Sequence, residues 1–485
     1  MNEPDAVQGA RSAATETYLS DRRGSEHRTT PQCAGAVTSY AQRRTRLLEQ
    51  MGRGIAVIPT AEEVARNGDT HYAYRHDSSF YYLTGFAEPE AVLVLIAGQD
   101  KNSAPQAILF CREKNPEREI WDGYRVGPEA AMAQYGFDAA YPVVQLDEKL
   151  AELMADQPAL FCPLGADPVW DERILKLRRA VQARVRSGVR APDEIRDVRA
   201  LLHEMRLIKD AHELDIMRRA AAISAQAHRR AMRFARHGLF EYEVEAELLH
   251  EFCRHGARHA AYPSIVAGGA NACVLHYVDN HARLNDGELL LIDAGCEVEG
   301  YAADITRTFP VNGKFGAAQK EVYEIVLAAQ AAAIAAARPG NAWDAPHDAA
   351  LRILAQGFID LGLCHGSVDG VLESESYKRF YMHRTGHWLG MDVHDAGDYK
   401  VGDHWRKLQA GMVFTVEPGC YIRPADDVPQ ALWNIGVRIE DDVAITVQGN
   451  EVLTTAVPKT VAEIEELILE TAVDCPHFHA SRHGD

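Results

Sequence analysis

The segment ELLLIDAGCEVEGYAADITRTF at 288–309 constrains this chain more than any other. Glu288–Ile292 is an apolar run that ends in Asp293, and Tyr301–Phe309 is a second strand-like run containing Asp304. A hairpin turn centred on Val298-Glu299, with Gly300 as the turn glycine, sets Asp293 directly opposite Asp304. Like charges facing each other across a ladder destabilise a sheet, so this hairpin needs a shared proton, an arginine or a bridging cation. If the turn is offset by one residue, the pair is split between the two faces instead. The hairpin alone leaves both registers open.

Three further stretches carry side chains of the same chemistry. MHRTGHWLGMDVHD at 382–395 places His383, His387 and His394 within twelve residues, beside glycine and aspartate. A lone histidine is usually a satisfied structural residue, whereas three so close suggest a site. FTVEPGCYI at 414–422 puts Glu417 at the end of a run, Val413–Val416, that should be buried. In NIGVRIEDDVAI at 434–445, Val437 and Ile439 point to one face and Arg438 and Glu440 to the other. Taken singly, each reads more readily as structure: Glu417 as an exposed strand end, Arg438 and Glu440 as the wet face of an edge strand.

Together these stretches resemble the metal-dependent aminopeptidases of the pita-bread fold, a family that includes methionine aminopeptidase, prolidase and Xaa-Pro aminopeptidase. The likeness is greatest to the bacterial Xaa-Pro aminopeptidases. It rests on VLHY at 274–277, DAGCEVEGYAADITRTFPVNGKF at 293–315, the HWLG-x-DVHD run from His387, TVEPG, RIEDD, and FYYLTGFAEPEAVLVL at 80–95. It extends from about Ser39 to about Glu466. The resemblance implies an α/β (α+β) protein with a mixed α/β domain over 39–190 and a pita-bread catalytic domain over 191–470, its site held in a curved antiparallel sheet.

By the same resemblance, the family's five metal ligands fall in order on Asp293, Asp304, His387, Glu417 and Glu440. Asp304 and Glu440 would bridge two divalent ions, Asp293 would hold one, and His387 with Glu417 the other, which would resolve the repulsion in the hairpin. Oxygen and imidazole donors suit Mn²⁺, with Co²⁺ or Fe²⁺ also compatible. The implied reaction is attack of a bridging hydroxide on the first carbonyl of a peptide with proline second, the free α-amine anchoring on a metal. Glu417 would accept the proton and His394 would stabilise the oxyanion. His276 and His383 would line the cleft, and Arg438 would hold a carboxylate in place. Trp121, in EIWDGYR, matches a tryptophan that reaches into a neighbouring subunit's site, and Asp69 lies in a loop used the same way, so a tetramer or dimer is expected. Read without the resemblance, Trp121 is an ordinary partly buried aromatic. The competing readings are a prolidase, which cleaves only dipeptides, a non-catalytic binding module, and a metal-free hydrolase of the creatinase type. The last two typically lose ligands that this chain keeps.

Composition narrows the partners. With 51 Lys+Arg against 70 Asp+Glu the net charge is −19, and no Lys/Arg-rich run is present, so nucleic acid is a poor partner. The most Ala-rich stretch, Ile325 to Ala337, is interrupted by Gln330 and falls short of the ~20 apolar residues that span a bilayer. The first thirty residues are polar, without the apolar core of a secretory signal. Nine scattered cysteines with no C-x-x-C pair read as reduced thiols, which points to the cytoplasm.

Residues 1–38 read as a disordered extension and 471–485 as a loose tail. Helices are expected from Ser39, from Asp193 to about Arg236 with a break near Lys209–Ala211, over Tyr242–His255, and over Ala317–Arg338. Phe80–Phe86, Ala91–Ala97 and Ala107–Cys111 are expected strands, and GSVDGVLES at 366–374 a surface loop.

Overall fold

A computed structural model describes residues 34–98 and 104–474. Runs such as IAVI, VLVLI and AILF are apolar throughout, the pattern of strands buried on both faces. They build a six-stranded mixed sheet in the order 139–142, 106–111, 92–97, 54–59, 159–162, 194–197. The first three strands in chain order pair antiparallel, and the outer pairings are parallel. Separate apolar clusters cover its two faces. The strand Glu194–Asp197 carries this sheet past residue 190, so the helix expected from Asp193 starts only at Arg199. The expected break is present: Arg199–Leu207 ends before Asp210, which opens Ala211–Phe234. Asp210 Oδ1 accepts the N–H groups of His212 and Glu213, and Glu213 accepts the N–H of Asp210 in return.

One expected strand is a helix. Ser78–Thr84 is α-helical, with the Asp77 side chain accepting the Phe80 N–H at its start and Gly85 left-handed at its end. A short apolar aromatic run fits a buried helix or a buried strand equally well, and the caps decide it. The 366–374 segment likewise contains a short helix, Val368–Glu373, begun by Ser367. Helices Ala345–Asp360 and Val461–Asp474 were not expected, and the second extends into the supposed tail. The helix Ala34–Met51 starts inside the supposed N-terminal extension. The remainder of those two terminal segments, 1–33 and 475–485, lies outside the described residues.

The C-terminal part packs helices 211–234, 241–254, 317–336, 345–360 and 461–474 with antiparallel strand sets in one continuous apolar core. Strand Leu289–Asp293 lies between Ile265–Gly268 and Thr306–Pro310. Val413–Val416 pairs with Asp441–Ile445, and Gly419–Ile422 with Ile435–Arg438.

The key hairpin turns one residue later than expected, at Glu299-Gly300. Val298 faces Tyr301, and both turn residues have positive φ, 49° and 79°. Asp293 therefore faces Thr306, not Asp304. Moving the turn by one residue moves every partner by two, and an even shift keeps both carboxylates on one face. The expected split between faces does not follow. The hairpin also closes tightly at Gly295, where a Cβ would stand 1.7 Å from the Ala303 carbonyl oxygen.

A candidate metal centre

Four of the five expected ligands sit where strands end or break. Asp293 is the last residue of its strand, and Asp304 lies between Tyr301–Ala302 and Thr306–Pro310. Glu417 separates Val413–Val416 from Gly419–Ile422, and Glu440 separates Ile435–Arg438 from Asp441–Ile445. His387 comes from a segment bound along Val413–Val416, its carbonyl accepting the Thr415 N–H at 3.0 Å.

These elements bring the ligands together. One donor atom each from Asp304, His387 and Glu440 lies within 4.8 Å of the others. His387 Nε2 is 3.5 Å from Asp304 Oδ2 and 3.7 Å from Glu417 Oε1. The Tyr262 hydroxyl links the remaining pair, 2.7 Å from Asp293 Oδ1 and closer still to Asp304 Oδ1. A phenol has one proton and cannot donate to both carboxylates at once. The hairpin pair draws besides on Arg438 at Asp293 and on His387 at Asp304.

Arg438 is the guanidinium inside the cluster. It donates from Nη2 to Asp293 Oδ2 at 2.7 Å, from Nη1 to the Tyr421 hydroxyl at 3.1 Å, and from Nε to Thr306 Oγ1 at 3.2 Å. Thr306 passes the bond on, donating to Glu440 Oε2 at 2.6 Å. Arg438 and Glu440 are 4% and 2% exposed, which overturns the wet-edge reading of that strand.

Burial dominates the electrostatics. It pushes the Glu440 carboxyl well above the usual range, helped by the charges of Asp304 and Glu417. It pushes Glu417 up to about 7 against the opposing pull of His387 and Arg438. Asp293 is also raised by burial, despite Arg438. Burial disfavours charge on Asp304 and His387 too, but their mutual hydrogen bond and attraction win: Asp304 is lowered and His387 raised to about 9. Four carboxylates, Asp304 and Glu440 buried and Asp293 and Glu417 partly so, crowd one guanidinium and the His387 imidazole, with no thiol among them. That donor set fits hard divalent cations. His387 Nδ1 lies 3.0 Å from the Trp388 carbonyl oxygen, which leaves Nε2 to face the carboxylates.

A cleft of about 550 Å³ opens over the centre. Asp293, His387, Glu417 and Arg438 form part of its wall together with His276, His383 and His394. His383 sits between Glu417 and Tyr421: its Nδ1 is 2.8 Å from the Arg384 carbonyl oxygen and 3.6 Å from Glu417 Oε2, and its Nε2 is 2.8 Å from the Tyr421 hydroxyl. Burial and the nearby Arg438 push its pKa down to about 3. The His394 ring stands edge-on to His387 at 4.3 Å between centroids, and burial with His387 lowers its pKa, so it is neutral near pH 7.

Two expected residues are not brought to this cleft. Trp121 is 82% exposed on the helix Pro116–Asp122, and Asp69 is exposed in the turn between Ala65–Asn67 and Thr70–His71. Other residues of the site went unnoticed in the sequence. Tyr262, Tyr421 and Thr306 tie the ligands together, and Trp343, Tyr399 and Trp405 wall the cleft. Only Thr306 had a signal, as the hairpin partner of Asp293 once the turn is placed correctly.

Comparison with known proteins places this geometry. Residues 215–447 match Metallopeptidase family M24, and residues 40–161 match Aminopeptidase P, N-terminal domain. The Xaa-Pro aminopeptidase of Haemophilus influenzae is 46% identical over 430 residues, covering 88% of this chain and 96% of that protein. That of Escherichia coli is 45% identical over 435 residues, covering 89% and 97%. The structure of Pseudomonas aeruginosa aminopeptidase PepP superposes with a TM-score of 0.88 at 50% identity, covering 90% of this chain and 99% of that one.

Proposed function

The chain belongs to metallopeptidase family M24, and from that premise we propose that it is a metallo-aminopeptidase releasing the N-terminal residue from peptides with proline in the second position. The observation that carries the reading is the convergence of Asp293, Asp304, His387, Glu417 and Glu440 beneath a cleft walled by three further histidines. In this reading Asp304 and Glu440 would help hold both divalent cations, Asp293 one of them, and His387 with Glu417 the other. Manganese suits the hard donors best. When bound, such ions supply Lewis-acid activation of water and of the scissile carbonyl.

The protein's own groups do the rest. Glu417 is the proton acceptor, because it is the cleft carboxylate with the weaker commitments. Asp293 is pinned by Arg438 and Tyr262, while among the described residues Glu417 receives a side-chain hydrogen bond only from Thr415, at 3.4 Å. The proton taken at Glu417 can return to the prolyl nitrogen as it leaves. His394, neutral and at the cleft wall, donates an N–H to the oxyanion. His276 and His383 line the path of the peptide, and Trp343, Tyr399 and Trp405 give the prolyl ring an apolar wall.

The exposed Ile120 and Trp121 of the helix Pro116–Asp122, with Tyr124 just beyond it, fit a surface that meets a second copy of the chain, with Trp121 and Asp69 completing that copy's cleft. Scattered free thiols fit a reducing, cytoplasmic setting. Among the described residues no helix is long and apolar enough to cross a membrane.

The test compares an Xaa-Pro-Yaa tripeptide, its N-acetylated form and an Xaa-Pro dipeptide. The expected result is cleavage of the free tripeptide between residues one and two and resistance of the acetylated form. Cleavage of dipeptides alone would make the enzyme a prolidase. Equal cleavage of the acetylated peptide would overturn the anchoring of the free amine.

A further inference from the structure

The His394 ring packs edge-on against His387 but has no hydrogen-bond partner among the described residues, so its position over the site depends on its backbone. That backbone is the loop Trp388–Asp395, which starts beside the ligand His387 and closes on itself through the Asp395 N–H and the Trp388 carbonyl, 2.9 Å apart. The catalytic domain holds the loop through the Leu389 N–H on the Val413 carbonyl at 3.0 Å and the Ala302 N–H on the Gly390 carbonyl at 2.8 Å, and further bonds come from outside that domain. Arg75 Nη2 donates to the Met391 carbonyl at 2.6 Å, and its Nε donates to Glu297 Oε2 at 2.7 Å. The Ser78 hydroxyl donates to Asp392 Oδ1 at 2.6 Å and accepts from Arg75 Nη1 at 3.0 Å. Beneath them, Arg206 Nη2 reaches Asp392 Oδ2 at 2.7 Å and Asp395 Oδ1 at 2.6 Å, while its Nη1 donates to Ser79 Oγ at 3.0 Å. Lys209 Nζ completes the cluster on Asp395 Oδ2 at 2.8 Å. Gly390 leaves room for this: a Cβ there would stand 2.2 Å from Asp395 Oδ2.

Arg75, Ser78 and Ser79 lie within residues 40–161, the stretch that matches the aminopeptidase P N-terminal domain. We propose that this domain supports catalysis indirectly, its Arg75 and Ser78 gripping the Trp388–Asp395 loop and thereby fixing His394 at the transition state. Arg75 and Ser78 are then positioning residues, acting only through His394. The buried Arg206–Asp395–Lys209 core is the platform on which the grip is built. Removing one of its partners would strand a buried charge and damage the fold, so it is not the place to test the idea.

Arg75 and Ser78 are better placed, because Arg75 is half-exposed and Ser78 loses only a hydroxyl on conversion to alanine. The proposal rests on His394 serving as the oxyanion donor, and a double-mutant cycle separates the two ideas. Arg75→Ala and Ser78→Ala are made in the wild-type and in the His394→Ala backgrounds, and kcat, KM and bound metal are measured with a tripeptide. In the wild-type background each variant should lower kcat about 10-fold, with KM and metal content unchanged, the scale of a displaced donor rather than a deleted one. In the His394→Ala background each should lower kcat less than about 2-fold, because there is no imidazole left to misplace. Arg75→Lys, which keeps a donor for the Met391 carbonyl, should recover part of the loss. Equal fold-losses in both backgrounds, a change confined to KM, or no loss in either would overturn the coupling while leaving the oxyanion role intact. Wild-type kcat in His394→Ala itself would instead remove the oxyanion role, and this proposal with it.

Discussion

Glu241→Gln is a conservative change with a large expected effect. The Glu241 carboxylate is fully buried and accepts four hydrogen bonds. Oε1 takes the Gly268 N–H at 2.7 Å and Asn271 Nδ2 at 3.0 Å, and Oε2 takes the Tyr277 hydroxyl at 2.7 Å and the Ala282 N–H at 2.8 Å. These donors span the loop that carries Leu275 and His276 to the cleft wall. Glutamine preserves the shape but turns one oxygen into an NH₂ group. The Tyr277 hydroxyl can rotate and the Asn271 amide can flip, yet in either orientation one backbone N–H, of Gly268 or of Ala282, is left facing a donor. An orphaned buried N–H costs about 1–3 kcal/mol, and the surviving bonds lose their charge assistance at about 1 kcal/mol each. The expected destabilisation is therefore about 3–5 kcal/mol, read as a lower urea midpoint at unchanged slope. As the loop loosens and His276 moves, kcat/KM for a tripeptide should fall about 10-fold. Tyr277→Phe, which removes a single bond, should cost only about 1–2 kcal/mol. If Glu241→Gln stays within about 1 kcal/mol of wild type and keeps its kcat/KM, the carboxylate does not organise this loop.

His394→Ala should keep its metals and lose roughly 10²–10³ in kcat, the usual loss for one oxyanion donor; loss of metal would make His394 a ligand, and near-normal kcat would make it structural. His228 is fully buried, its Nε2 2.9 Å from the Ala294 carbonyl oxygen, and burial lowers its pKa from 6.5 to about 4. Its folded pKa lies below its unfolded one, so the stability it contributes is complete above pH 6.5 and is lost as pH falls toward 4. Between pH 7 and pH 5 the wild type should lose about 2 kcal/mol through this group, and His228→Asn should lose that much less over the same interval; identical pH slopes for both proteins in urea titrations would refute the assignment.

The parts of this protein that were legible in its sequence are those where chemistry repeats over short distances. Asp293 and Asp304 share one hairpin, His383, His387 and His394 share one loop, and Glu417 and Glu440 each follow a buried apolar run. The hairpin register was misplaced because both Val298-Glu299 and Glu299-Gly300 make an acceptable turn on paper. What selects the second is Glu299 accepting a positive φ, which composition does not announce. Phe80–Phe86 reads as a strand because a seven-residue aromatic run has no period long enough to separate helix from strand, and the deciding features of the helix Ser78–Thr84 are the Asp77 and Gly85 caps on either side of it. Tyr262, Tyr421 and Glu241 stayed hidden for another reason. Each acts on residues brought to it by tertiary packing, such as Tyr262 on Asp293 and Asp304, and a single tyrosine or glutamate has no local pattern. Arg75 and Ser78 lie more than three hundred residues before the loop they grip, beyond the reach of any spacing argument.

In the proposed function these five side chains hold two divalent ions on which hydrolysis depends. The direct measurement is metal content per chain by plasma mass spectrometry, taken alongside tripeptide hydrolysis, through complete chelation and stepwise reloading with Mn²⁺. The expected result is no activity in the stripped protein, recovery that is complete at two ions per chain, and a Glu440→Ala variant that regains neither its ions nor its activity. Full activity in the metal-free protein, or full recovery in Glu440→Ala, would contradict it.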